Sequence, residues 1–363
     1  MKNLKKTKKN LLIIMLSLLV FSGCTSTFCN SKDKASMREY FIEQNYDAWY
    51  EEAITKKSID VTDGVDVAEQ EVINSYLEKK ANKEIKSAER ACISTKNYKT
   101  KAGYTISAKS WGDAWKKGLL EGLFVYPIAA GLGFFTELIG PSGIGQFCAL
   151  LLVTILVRAL MLLITFKSQK QTQLMQTIQP QLQQIQENFK NAKTPAEQQK
   201  YQQQMIKLYS EFNINPLSML LTPFITMPVF ISVWGAIKGT ALIADGKLLG
   251  LSFSTKLSTQ LFSGSLFAIL IFVTMVVAQV ISMLLPQWLR NRRNPSKKKE
   301  KNPMGGYMIF MLVIMLWTGL FLPAGMAIYW TMGAIFSACQ TAIFQFIGMK
   351  KGQGKKKYEK VYR

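Results

Sequence analysis

The hydrophobic positions of this chain fall into long runs that lie mostly between residues 119 and 348. Five of these runs approach or exceed the length that an α-helix needs to cross a bilayer, which is about 20 residues. They cover residues 145–166, 218–240, 264–285, 305–322 and 323–348. The last two meet at the corner FLPAG, where proline fixes φ and glycine permits a sharp reversal. The pattern predicts an all-α polytopic membrane protein with five transmembrane helices.

Two regions before the first run have different patterns. Residues 24–110 are polar with scattered apolar positions at helical spacing, which predicts a small helical extracytoplasmic region. Within residues 111–144 the apolar stretch is interrupted by Glu121, Pro127 and Glu137. The uncharged core that remains is short for a span, so we expect an interfacial amphipathic helix in 111–144 rather than a sixth transmembrane helix.

The segment 168–214, between the first two spans, shows the periodicity of two amphipathic helices. The apolar positions of its two predicted faces are Leu174, Ile178, Leu182, Ile185 and Phe189, followed by Tyr201, Met205, Leu208 and Phe212. Pro180 predicts a kink or a new helix start, and Thr194-Pro195-Ala196-Glu197 has the form of a capping box. We expect an antiparallel cytoplasmic hairpin. It serves either as a solvated structural element or as a mobile element that meets incoming chain.

The N-terminus has the organisation of a targeting segment. Several lysines precede an apolar run at 11–21, and Ser22 and Gly23 come directly before Cys24. This pattern predicts a lipoprotein-type signal peptide at 1–23, with lipid attached to the sulfur of Cys24 after cleavage; the alternative is an uncleaved signal anchor. Cys29 and Cys92 would then lie outside the cell, either as two free thiols or as a disulfide.

Charge gives the orientation of the predicted spans. The net charge is +22, and it concentrates in two tracts beside apolar runs, 286–303 and the tail 350–363, whereas 241–263 has only two lysines and one aspartate. Basic loops face the cytoplasm. The predicted N-terminal region is therefore outside, and the hairpin and the C-terminus are inside. The lipoprotein-type signal implies that this membrane is a bacterial plasma membrane. This clustering argues for a membrane protein and against a DNA-binding protein, although the tracts could bind anionic lipids.

Arg158 is the strongest candidate for a functional residue. It lies near the middle of the uncharged run 145–166, about 13 Å of helix rise before Lys167. A central arginine costs roughly 2.5–3.5 kcal/mol on insertion scales, so its guanidinium needs water, an anion or a protein partner. No Asp or Glu lies in any of the five runs. Together with scattered Gln, Thr and Ser residues in the spans, this favours a polar cavity whose counter-charge comes from a ligand.

The sequence offers little support for catalysis. It contains no His, which removes the commonest general base and most zinc sites. It has no phosphate-binding loop and no intramembrane carboxylate of the kind that ion-coupled transporters and intramembrane proteases use. We therefore expect a protein that is not an enzyme and uses no cofactor or metal.

Three segments carry a resemblance to a known family. They are TILVRALMLLITFKSQKQTQLMQTIQPQLQQIQ, NINPLSMLLTPFITMPVFISVW and FLPAGMAIYWTMGAIFSACQTAIFQ. In order and spacing they resemble the core of the YidC-type membrane protein insertases, the bacterial branch of the Oxa/Alb insertases, over about residues 120–350. The lipoprotein-like signal and five spans resemble the Gram-positive type. Residues 24–110 are longer than that type usually has, and their role is open.

The resemblance implies a fold and a mechanism. Five helices in a core at 145–349 would enclose a hydrophilic groove, open to the cytoplasm and the lipid and closed to the outside. The residues that we expect to line it are Arg158, Gln146, Gln279, Trp330 and Gln340. The implied activity is insertion and folding of nascent membrane proteins without nucleotide hydrolysis. Implied partners are these substrates, membrane lipids, the ribosome through basic loops and Lys355–Lys357 of the tail, and the Sec translocon as a further candidate. A channel or transporter and a scaffold or assembly chaperone for membrane complexes are the alternatives.

Overall fold

The computed structural model describes residues 28–59, 65–293 and 305–350. The predicted signal peptide, the lipidation site Cys24, most of the first basic tract and nearly all of the basic tail lie outside these residues. The predictions made for them therefore stay predictions.

Helices dominate the described residues. The α-helices are α1 Ser31–Lys57, α2 Val67–Ala88, α3 Trp111–Lys117, α4 Tyr126–Ile139, α5 Gly143–Asn191, α6 Pro195–Glu211, α7 Pro216–Gly239, α8 Ala241–Ala244, α9 Leu257–Phe262, α10 Leu266–Arg293, α11 Gly305–Phe321 and α12 Ala324–Lys350. A π-helical turn, Glu121–Val125, leads into α4. Two short antiparallel hairpins pair β1 Tyr98–Lys99 with β2 Thr105–Ile106, and β3 Lys247–Leu248 with β4 Leu251–Ser252.

The all-α membrane architecture is confirmed, and all five predicted spans are helical as α5, α7, α10, α11 and α12. Within the described residues, the helical segments long and apolar enough to cross a membrane are Glu121–Ile139, Gly143–Thr172, Leu266–Leu289 and Ala324–Phe344. The apolar segments Ile225–Gly239 and Leu312–Phe321 are shorter. The count of five spans therefore stays a prediction. So does the interfacial position of α4, because Glu121–Ile139 also meets the length and composition of a span.

The chain divides into two compact units, which we describe separately. Of the described residues, the first contains those up to Val153, Val229–Ile269 and Phe321–Met326, and the second contains those in Thr154–Pro228, in Leu270–Leu320 and from Ala327 onward. In the first unit, α1 and α2 pack around buried Ala53, Ile73 and Leu77. Both helices start at capping boxes, Asn30 with Asp33 and Asp66 with Glu69, which satisfy backbone donors of the first turn.

A disulfide and a buried ion pair fix the start of α1. Cys29 and Cys92 form a disulfide with their Cα atoms 5.0 Å apart. The Nζ of Lys109 lies 2.8 Å from Asp33 Oδ2, and both side chains are buried. The other oxygen of Asp33 accepts hydrogen bonds from the backbone and the hydroxyl of Ser107. Because a buried ion pair is stable only when its remaining hydrogen-bonding groups are satisfied, this network accounts for the presence of two charges in the core.

The segment 92–101, which we call the docking segment, connects the part of the first unit that contains α1 and α2 to residues 239–245, at the end of α7 and around α8. Ile93 accepts a backbone hydrogen bond from Ala241 and donates one to Gly239, at 3.0 and 2.7 Å. The hydroxyl of Tyr98 and the backbone N–H of Lys101 donate to Asp245 at 3.0 and 2.8 Å. Burial, followed by the charge of Asp245, holds the pKa of Tyr98 above its ordinary value. The Tyr98 hydroxyl therefore remains a donor throughout the physiological pH range.

Helix α5 runs unbroken for 49 residues, and its part in the second unit continues through Pro180 to Asn191. The predicted start of a new helix at Pro180 is therefore absent. The predicted capping box at Thr194 and Glu197 is present at the start of α6. The C-terminal part of α5 packs on α6 around buried Ile178, Leu208, Phe212 and Ile214. Gln171 closes the base of this hairpin, since its side chain donates to Asn213 O and accepts from Asn215 N.

Candidate functional site

The guanidinium of Arg158 lies against one face of α12 in the second unit. Its Cζ is 5.1 Å from the centroid of the Tyr329 ring. One helical turn later, Gly333 leaves the space that the guanidinium occupies, because a Cβ at this position would overlap Nη2 of Arg158. Tyr329 is buried. The contact therefore depends on an aromatic ring and a residue without a side chain, four positions apart on the same helical face.

The contacts that the described residues make with Arg158 offset only part of the cost of placing this charge in the membrane. A cation–π contact contributes about 0.5–2 kcal/mol, which is less than the roughly 2.5–3.5 kcal/mol that a central arginine costs. The Nε of Arg158 is buried, and no acceptor in the described part of the chain bonds to it. Among the same residues, no carboxylate forms an ion pair with Arg158. The site can therefore accept an anion or a polar group as an additional partner.

Gln279 and Trp330 meet in the same unit. The side-chain amide of Gln279 donates to the backbone oxygen of Trp330 at 3.4 Å, which is long for a hydrogen bond. The Trp330 ring packs at Gly319 of α11, where an added Cβ would lie 3.2 Å from its Cζ3 and 3.0 Å from Cε of Met275. These contacts join α10, α11 and α12. Because this hydrogen bond is weak, the Gln279 side chain can exchange the Trp330 oxygen for a polar ligand at little cost.

The other two predicted groove residues, Gln340 and Gln146, belong to different units. Gln340 is half-buried and lies on the same face of α12 as Tyr329 and Gly333, two turns beyond Gly333. Gln146 belongs to the first unit, where it is fully buried and donates to the backbone oxygen of Leu242 at 2.7 Å. This bond joins the start of α5 to α8, in the manner of polar residues that hold membrane helices together. The role of Gln146 in a groove stays a prediction.

Sequence reasoning did not identify Tyr329 and Gly333 as residues of the site. Their only sequence signal is the spacing of an aromatic residue and a glycine by one helical turn in the last apolar run. This spacing occurs in many membrane helices, where glycine allows close packing. Whether this face meets Arg158 depends on how α12 is rotated about its axis, which only the structure shows.

Comparison with known proteins finds one family model and several membrane protein insertases that are similar to this chain. The sequence model of the family described as 60Kd inner membrane protein matches residues 139–351. A membrane protein insertase YidC of Oceanobacillus iheyensis is 29% identical over 226 residues, which cover 62% of this chain and 83% of that protein. Membrane protein insertase YidC 1 of Halalkalibacterium halodurans is 28% identical over 230 residues, 63% of this chain and 80% of that protein. For the YidC of Mycoplasmopsis pulmonis, identity is 27% over 247 residues, 65% of this chain but 40% of that protein.

Proposed function

Because the chain belongs to the 60Kd inner membrane protein family, we propose that it inserts nascent membrane proteins into the bacterial plasma membrane. The observation that carries this proposal is the environment of Arg158. This cation lies in an apolar helix, and its Nε has no acceptor in the described residues. Two further observations support this proposal. The relatives named above are membrane protein insertases, and the described residues contain several helices apolar enough to span a membrane.

The proposed mechanism starts with electrostatic attraction. Arg158 holds an acidic or polar outer segment of the incoming protein at the depth of the membrane, where such a segment alone is strongly disfavoured. Attraction between opposite charges is stronger there than in water, because the surroundings have a low dielectric constant. The length of apolar barrier that the segment still has to cross is therefore shorter.

Release is the second step. The apolar helix of the substrate moves into lipid, and burial of its side chains away from water supplies the free energy. Gln279 offers a weakly held amide for the polar parts of the passing chain. Neither step forms or breaks a covalent bond, so the proposed activity needs no nucleotide and no cofactor.

We further propose the orientation expected from charge, with lipid-modified Cys24 outside and the tail inside. The Cys29–Cys92 disulfide supports it, because disulfides persist in oxidising compartments and are rare in the cytosol. The hairpin of α5 and α6 then faces the cytoplasm, where nascent chains arrive. Ribosomes are proposed to bind through the basic loops and tail, and the Sec translocon is proposed as an additional partner.

Reconstitution tests the proposed function. The purified full chain is placed in liposomes of phospholipid only, and a single-span substrate with a short acidic outer tail is synthesised in their presence without added translocon. We expect the tail to become protected from external protease, with no nucleotide requirement beyond that of translation and no ion conductance. Protein-free liposomes are the control. Unprotected tails would contradict an insertase, and steady conductance would favour a channel. Binding of finished helices without tail protection would favour a scaffold.

A further inference from the structure

The first unit contains a cavity that is separate from the site of Arg158. Its volume is about 270 Å³, and its walls are residues 93–98 of the docking segment, one face of α4 and residues near Thr240. Small-molecule sites usually measure about 300–1,000 Å³, so this cavity matches a small polar group rather than a whole lipid.

The wall formed by the docking segment is held in place at both ends. Ile93 pairs with the backbone of Gly239 and Ala241, and Tyr98 donates to Asp245. The disulfide at Cys92 directly precedes this wall. A ligand that enters the cavity therefore does not have to order its wall, which removes one of the main costs of binding.

Opposite charges and neutral polar side chains line the cavity. Lys96 lies on one wall and Glu137 of α4 on the other, 2.7 Å apart and exposed by 72% and 44%. An exposed ion pair of this kind contributes little to stability, so a ligand can separate it at small cost. Thr95 and Asn97 are exposed and also line the cavity, and the side-chain oxygen of Asn97 accepts a hydrogen bond from the backbone N–H of Ala108. The site thus offers an ammonium group, a hydroxyl and an amide, together with one carboxylate.

The cavity borders an apolar surface. Phe134 and Leu138 of α4 are 61% and 69% exposed, and each directly follows a residue that lines the cavity, Gly133 or Glu137. In a multi-pass membrane protein such a face meets acyl chains, whether α4 lies at the interface or spans the bilayer.

We propose that this cavity binds the headgroup of a zwitterionic glycerophospholipid with a primary ammonium. Lys96, Thr95 and Asn97 donate to its phosphate, Glu137 accepts from its ammonium, and its acyl chains lie along Phe134 and Leu138. A phosphate and an ammonium joined by a short linker match the two charges of the site, whereas a purely anionic headgroup would face the carboxylate unpaired. The proposal is independent of the role of Arg158.

Native mass spectrometry of the full chain in detergent tests the headgroup. The probes are phosphatidylethanolamine, phosphatidylcholine and phosphatidylglycerol with identical acyl chains. We expect phosphatidylethanolamine to bind at least about fivefold more tightly than the other two. The quaternary nitrogen of phosphatidylcholine has no N–H to donate to Glu137, and phosphatidylglycerol has no positive charge to pair with it. The double substitution Lys96→Gln and Glu137→Gln should remove this preference. Lys116→Gln, at an exposed ion pair on α3, is the matched control and should retain it.

A steric variant gives an independent test. A Cβ at Gly133 would meet no atom within 4 Å, so a larger side chain there can enter the cavity without disturbing the fold. Gly133→Leu should fill the cavity and weaken phosphatidylethanolamine binding by about fivefold or more. Gly133→Ala changes the backbone preference in the same way but leaves the cavity open, so it should bind as the wild type does.

Any one of four outcomes would overturn the proposal. One is equal binding of the three lipids by the wild type. Another is unchanged preference in the double variant, and the third is equal binding by the Gly133→Leu and Gly133→Ala proteins. Tight binding of phosphatidylglycerol that depends on Lys96 alone would also overturn it, because it would indicate a site for an anionic headgroup.

Discussion

Replacement of Arg158 by alanine is expected to reduce insertion of a single-span substrate with an acidic outer tail by about tenfold or more. A hydrogen bond to a charged group contributes about 1.5–3 kcal/mol, which corresponds to about 10- to 100-fold in an equilibrium. Arg158→Lys should retain a substantial part of the activity, because the charge remains although the planar guanidinium is lost. Protease protection of the tail in reconstituted liposomes measures the effect.

A second variant tests the position of the charge rather than its presence. Gly333→Ala places a methyl group where Nη2 of Arg158 lies, so the guanidinium has to move although the arginine is intact. We expect insertion to fall measurably in this variant. Gly235→Ala is the matched control, because its Cβ would make only ordinary contacts with Val125 at 3.6 Å. Insertion by Arg158→Ala at the wild-type level would contradict the proposed role of this residue.

Loss of the Cys29–Cys92 disulfide is expected to have the largest effect on stability. The two cysteines are separated by 63 residues, and the chain-entropy relation gives about 4 kcal/mol for closing a loop of that length. Cys92→Ser should therefore lower the unfolding free energy of the region around α1 and α2 by about 2–5 kcal/mol. The measurement is limited proteolysis of the full chain across a denaturant series.

The control for this prediction is Cys148→Ser, which removes a free cysteine and leaves the disulfide intact. A reducing agent should reproduce the effect of Cys92→Ser in the wild type and have no further effect in the Cys92→Ser protein. Identical proteolysis of the wild type under oxidising and reducing conditions would show that the disulfide does not stabilise this region.

Local signals in the sequence predicted much of the fold. The five apolar runs are helices, and Thr194 with Glu197 caps α6 as the capping-box pattern indicates. The number of spans is harder to predict, because Glu121–Ile139 combines interrupting charges with the length and composition of a span. The pattern at Pro180 left open a kink or a new helix start, and α5 is continuous there, since proline weakens a helix but packing against a partner helix can compensate.

Long-range contacts could not be predicted from local patterns. The backbone pairing of Ile93 with residues 239–241 joins parts of the chain that are far apart in sequence, and no periodicity indicates it. In the site, the missing counter-charge of Arg158 was evident from the composition of the spans. Its contact with Tyr329 and Gly333 depends on the rotation of α12 about its axis, which local sequence does not determine.

Site-specific cross-linking to a ribosome-bound nascent chain tests whether Gln279 and Arg158 meet the polar segment of a substrate. A photoreactive residue at Gln279, which bonds weakly to Trp330, is compared with one at Val277, two residues away on α10 and half exposed on an apolar surface. We expect adducts between position 279 and the polar outer segment of the nascent chain, and a strong reduction of these adducts in the Arg158→Ala protein. Position 277 should contact mainly the apolar part of the substrate or lipid. Absence of adducts at 279, or equal labelling of the polar segment from both positions, would contradict a role of this site in receiving the polar segment.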